Sequence, residues 1–151
     1  KYLNPRSNKA NLIFNEFLID WSVELILVEG VFDAILSRRN SVPLLGSSMN
    51  KNTKLFREIK KNNTPVVLAL DPDALGKQCK IAELLFKNNI SVCSLDMSKE
   101  KGDVAEIGCD RLGNLISSSS CFDFTQLVQS HMTTGGRIEN STHSRLAHTF
   151  T

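Results

Sequence analysis

Four carboxylates punctuate the middle of the chain in a pattern suited to holding a hard cation: Glu29, the pair Asp71 and Asp73, and Asp103. Glu29 ends an apolar run, the aspartate pair follows another, and Asp103 opens the loop and helix after a later one. Asp71 and Asp73 lie two residues apart, so in extended backbone their side chains leave the same face. Carboxylates brought together repel unless they are protonated or neutralised. Oxygen donors in that number select magnesium or manganese, ions that keep several waters and share substrate phosphates. Small residues accompany the acids: Gly30 follows Glu29, Gly46 precedes Ser47 and Ser48, and Gly76 comes after the aspartates. Gly30 is expected to allow a tight turn and close backbone approach to a ligand. Gly76 is expected to open a helix, with Lys77 placed to meet phosphate at its start.

The elements that must position these groups follow an α/β rhythm. Residues 24–29 form a short, near-continuous apolar run, the signature of a buried parallel strand. A helix is predicted over 31–38, with Val31, Ala34 and Ile35 on its buried side, and a second strand over 42–45. Asn50 or Asn52 is predicted to cap a helix that runs to about Lys61 on an apolar stripe of Leu55, Phe56 and Ile59. The clearest strand is 66–70, and a helix over 76–87 follows, burying Cys79, Ala82, Leu85 and Phe86. Another strand is predicted over 90–95, then a short helix capped by Asp103 through Val104, Ala105 and Ile107. That order predicts a small, mostly parallel sheet flanked by helices and joined by right-handed crossovers. The loops bearing all four acids then emerge on one carboxyl edge, where such sheets place their sites. Residues 117–120 read as a polar linker, 122–132 as one more helix, and 133–151 as a flexible tail poor in apolar residues.

Bulk properties bound the function classes. A chain of 151 residues, 41% hydrophobic and 23% charged, suits one soluble domain with a real core. No apolar run is long enough to span a bilayer, which predicts a cytoplasmic protein without a membrane partner. Cys79, Cys93, Cys109 and Cys121 show no paired spacing, so neither a zinc site nor a disulfide framework is expected; reduced, mostly buried thiols are. The net charge of +2 says little, yet Arg38, Arg39, Lys51, Lys54, Arg57, Lys60 and Lys61 face only Glu58 in their stretch. That stretch is either a solvated face or a surface for a phosphate backbone. The chain opens at Lys1 rather than methionine, which reads as a segment of something longer.

Taken in order, the motifs resemble those of the TOPRIM family. Val28-Glu29-Gly30-Val31-Phe32-Asp33 is similar to its EGxxD element, and Asp71-Pro72-Asp73-Ala74-Leu75-Gly76 to its DxDxxG element. Lys101-Gly102-Asp103-Val104-Ala105-Glu106 looks like the KDxxE-like element of the primase branch, with one residue inserted between lysine and aspartate. Leu45-Gly46-Ser47 matches the small glycine loop between the first two motifs. Lys1-Tyr2-Leu3-Asn4, then Lys9 and Leu12-Ile13-Phe14-Asn15, is similar to the segment leading into TOPRIM in bacterial and phage primases. The resemblance covers roughly 1–110 and divides the chain into a lead-in over 1–20, a TOPRIM domain over 21–116 and a C-terminal helix and tail over 117–151.

The resemblance implies a DNA primase that makes short RNA primers on single-stranded DNA from ribonucleoside triphosphates, beside a replicative helicase. Glu29, Asp71, Asp73 and Asp103 are then the catalytic acids and hold one or two Mg2+ or Mn2+ ions. Lys1, Lys9, Gly30, Lys77 and Lys101 would meet nucleotide or nucleic acid, with Asp33, Gly46 and Gly76 in support. A TOPRIM nuclease would use the same acids without the primase-like lead-in. A topoisomerase needs a nucleophilic tyrosine, and Tyr2 inside the lead-in string is the sole tyrosine. A non-catalytic module that binds DNA or docks on a helicase is a further alternative. No Cys/His cluster supplies the zinc-binding module that commonly selects a primase start site, so the isolated chain is expected to bind metal and nucleotide yet prime poorly.

Overall fold

The run Leu25-Ile26-Leu27-Val28 has no polar side, so it settles only where both faces are covered. In the computed structural model, which describes residues 8–119, this run is strand β1 (Leu25–Val28), and all four of its residues are buried. Strands β2 (Ser41–Pro43), β3 (Val66–Leu68) and β4 (Val92–Ser94) complete a four-stranded sheet in the order β2-β1-β3-β4. Every pairing is parallel; Leu27 faces Val42 on one side and Leu68 on the other. β2 and β4 are therefore the outer strands, and Pro43 closes β2.

The helices are α1 (Val31–Leu36), α2 (Lys54–Asn62), α3 (Leu75–Phe86) and α4 (Val104–Ser118). Alternation along each strand sends Leu25, Leu27, Val66 and Leu68 to one face, where they pack with Phe56 and Ile59 of α2 and Ile81 and Leu85 of α3. Ile26, Val28 and Val67 point to the other face and meet Ala34 of α1 and Val104 and Leu112 of α4. The chain winds from β1 outward to β2, then back across to β3 and on to β4. Right-handed crossovers put the helix of the first step on one face and those of the next two on the other, and α1 stands opposite α2 and α3 as that rule requires. Each fully buried Leu, Ile or Val adds about 1.5–3 kcal/mol of apolar transfer free energy to hold the layers together.

Several local expectations are corrected by the structure. Thr53 caps α2, its Oγ1 accepting from the Phe56 N–H at 3.4 Å. Asn50 instead closes a turn by accepting from the Asn52 N–H at 2.8 Å. Two predicted core positions face outward: Ile35 is 52% exposed and Phe86 38%, while Ile81 takes the buried place on α3. α3 opens at Leu75, one residue before Gly76, after a 3-10 turn over Pro72–Ala74. The short helix expected after Asp103 ends at Gly108, and a second helical segment follows it to Ser118, so Ser117 and Ser118 end a helix rather than begin a linker. Gly108, at φ 78° and ψ 166°, is non-helical and divides α4 into two helical segments. Cys79 is buried, whereas Cys93 and Cys109 are half-buried. Cys121, the helix predicted over 122–132 and the tail lie outside the described residues.

The sheet also divides the basic stretch. Arg38 and Arg39 follow α1 on one face, and Arg39 donates to the Cys109 carbonyl in α4. Lys54, Arg57, Lys60 and Lys61 belong to α2 on the opposite face. Lys54 pairs with Glu16 at 2.6 Å and Lys60 donates to Asn88, so the stretch is no single continuous stripe. No helix among the described residues is long and apolar enough to cross a membrane.

Candidate active site

In an open parallel sheet the crevice for a ligand forms at the carboxyl ends of the two neighbouring strands whose onward connections leave in opposite directions. Here those strands are β1, whose chain continues outward to β2, and β3, whose chain continues to β4. Glu29 is the residue immediately after β1, and Asp71 follows β3 by way of Ala69 and Leu70, which are buried. The Ala69 N–H still donates to the Leu27 carbonyl, which keeps the two acidic loops in register as they leave the sheet.

Asp71 collects the field of the whole edge. Burial pushes its carboxyl above the ordinary value, and negative charge on Asp33, Glu29, Asp73 and Asp103 pushes it further the same way. Three loops thus bring carboxylates close enough to act on one side chain. Asp73 is exposed in the 3-10 turn that separates Asp71 from α3. Asp103 is the N-cap of α4: its Oδ1 accepts from the Glu106 N–H at 2.9 Å. A cap of this kind is worth about 1 kcal/mol, so part of the work of Asp103 is structural.

Asp33 is buried at 7% exposure and ties two loops together. Its Oδ2 accepts from the Gly30 N–H at 2.9 Å, and its Oδ1 accepts from the Ala105 N–H at 3.1 Å, in the first turn of α4. The chain turns from β1 into α1 through Glu29 and Gly30 alone, and Gly30 does so as an extended N-cap, at φ −117° and ψ 164°, not through a positive φ. Its value lies in close approach, since a Cβ there would stand 3.1 Å from Asp33 Oδ2. At Gly76 a Cβ would meet nothing within 4 Å.

The cations are distributed unevenly. Lys77, in the first turn of α3, pairs with Glu29 at 2.7 Å. Lys9 donates to the Leu45 carbonyl at 3.0 Å, which fastens the lead-in to the glycine loop after β2. In that loop Gly46 has φ of 70°. Lys101 is exposed beside Gly102, and Lys1 lies outside the described residues.

Several features fit a divalent cation. The donors are hard oxygens, the field on Asp71 is one-sided, and Glu29 Oε1 is buried without a hydrogen-bond partner. They do not form a closed cage: among the described residues no three His, Cys, Asp or Glu side chains are gathered as a ready metal-binding group. The two observations agree once distance is considered, because charges act on one another well beyond the reach of a shared ligand bond. Residue spacing anticipated the acids and the edge. It did not anticipate the Lys77–Glu29 pair, which spans 48 positions, or the bond from Ala105 to Asp33, which spans 72. The Gly30-to-Asp33 spacing did carry a signal, that of an acid at the third helical position reaching back to the N-cap N–H.

No protein-family model matches the chain, and no curated protein matches it. Among solved structures it is similar to a crystal structure of the Aquifex aeolicus primase comprising zinc-binding and RNA polymerase domains, with a TM-score of 0.63 and 24% identity. The likeness is one of fold. It covers 85% of this chain but 35% of that one, so the chain spans about a third of the primase fragment's length.

Proposed function

We propose that this chain is the TOPRIM-type catalytic domain of a DNA primase, a nucleotidyltransferase that joins ribonucleotides on a single-stranded DNA template. The observation that carries the reading is the gathering of Glu29, Asp33, Asp73 and Asp103 charge around Asp71 at the carboxyl edge, between β1 and β3. The ordered motifs in the sequence and the fold shared with the Aquifex primase support it.

Glu29, Asp71, Asp73 and Asp103 would hold Mg2+ or Mn2+. When bound, such an ion supplies charge stabilisation for the transferring phosphoryl group and lowers the pKa of a coordinated hydroxyl. The chain's own residues set the stage for this. Asp33 holds the loop after β1 against the start of α4, which fixes Glu29 relative to Asp103. Lys9, tied to the loop after β2, and Lys77 and Lys101 would face nucleotide or template phosphate. Lysines act there as point charges, so template binding would be salt-dependent and blind to sequence. The replicative helicase is the expected partner of the whole enzyme.

Asp71→Asn and Asp73→Asn are expected to weaken Mn2+ binding, read by titration calorimetry of the folded chain. Unchanged affinity in both variants would refute the site. Template-directed primer synthesis that is lost in both variants while folding is retained would tie the site to the reaction.

A further inference from the structure

The two carboxylate oxygens of Glu29 meet different surroundings. Oε2 takes the Lys77 ammonium at 2.7 Å, while Oε1 is buried without a hydrogen-bond partner among the described residues. Such an oxygen is unfavourable to keep, and one ammonium on the far side of the carboxylate does not relieve it. A divalent cation carries twice the charge and takes oxygen donors from several directions.

Lys77 is placed to yield. It projects from the first turn of α3, after Gly76, whose missing side chain leaves open space. Lysine presents a compact charge on a flexible four-carbon stem, which swings without any change in the backbone. The pair is also only partly screened from water, the side chains being 23% and 20% exposed. A path for exchange is therefore open on the solvent side.

We propose that Lys77 is an exchangeable counter-cation: it neutralises Glu29 until a divalent ion arrives, is displaced by that ion, and then turns to incoming phosphate. The inference rests on reading Glu29 as a metal ligand. It adds that the cation and the phosphate-facing lysine are loaded in sequence, by competition for one carboxylate.

Two measurements on the full chain test it. Amine-directed acylation with mass-spectrometric readout is expected to label Lys77 several-fold more after Mn2+ is added, with Lys80 on the same helix serving as the reference. In Glu29→Gln, Lys77 should label strongly from the outset and ignore Mn2+. By calorimetry, Lys77→Met is expected to bind Mn2+ about 5-fold more tightly, the scale set by a partly exposed ion pair. Lys80→Met, which removes an exposed charge from the same helix, should change affinity far less. If Mn2+ binds the native chain while Lys77 labelling stays constant, the exchange is overturned and the metal site stands. Equal tightening in both methionine variants also overturns it, since general charge would then explain the effect. Failure of any form to bind Mn2+ removes the metal reading and this inference together.

Discussion

The Asp71 carboxyl stands above its ordinary value because burial and the surrounding carboxylates both oppose its charge. An acid raised in this way holds its proton more tightly in the folded chain than in the unfolded one. The stability it contributes is complete below the ordinary carboxylate range and is lost as pH rises through the raised value. At neutral pH the folded chain therefore carries a charge that its surroundings disfavour. Asp71→Asn is expected to raise the thermal midpoint at neutral pH without divalent cation, and to lose that advantage at acidic pH. A midpoint at or below that of the native chain at neutral pH contradicts this account. Asp33 presents the reverse case. Asn in its place has one accepting oxygen instead of two and leaves either the Gly30 or the Ala105 N–H unsatisfied. Urea unfolding should show a loss of about 1 kcal/mol, the low end of the penalty for an orphan donor because these N–H groups are only partly buried. At this scale the sequence exposed the acids, because Glu29 and the Asp71–Asp73 pair sit where apolar runs stop and Asp103 stands before a helix. It concealed their partners, because contacts across 48 and 72 positions leave no local trace.

Between Lys101 and Asp103 one glycine carries the turn into α4. Gly102 has φ of 129°, and a Cβ there would collide with the Glu106 side chain. Only a glycine accommodates this bend without strain. Gly102→Ala is expected to cost about 1–3 kcal/mol and to shift the Asp103 cap. An unchanged unfolding midpoint would show that the loop relaxes instead. Gly108 marks the real end of the first segment of α4, while the second segment was hidden from the sequence because Gly113 and the serines interrupt its apolar pattern. A second helical segment forms past Gly108 through its packing on α1 and the sheet, with Leu112 fully buried. Gly113 leaves room for the Arg39 guanidinium, an accommodation that spacing alone does not reveal.

The described residues form two cores on one sheet. Ile59 of α2 and Leu112 of α4 are both fully buried, on opposite faces. Truncation of either to alanine should remove about 2–5 kcal/mol. Because the sheet separates them, the double variant should equal the sum of the singles to within about 0.5 kcal/mol. A larger departure in denaturant titrations would mean that the two layers yield together. The architecture was legible because β1 and β3 are apolar runs too short for helices, and turn signals fall between the elements. The strand order was not, since β1 pairing with both β2 and β3 depends on contacts that no single segment encodes.

One consequence follows for the rim of the sheet. The Asn40 carbonyl and the Leu44 N–H both turn inward to β1, so alternation sends the backbone groups of residues 41 and 43 outward. Residue 43 is a proline and offers an intruding strand no hydrogen to accept, on an outer strand only three residues long. Among the described residues this border of the sheet thus offers a neighbouring strand a poor template for edge-to-edge stacking, because one of its two outward amide hydrogens is missing.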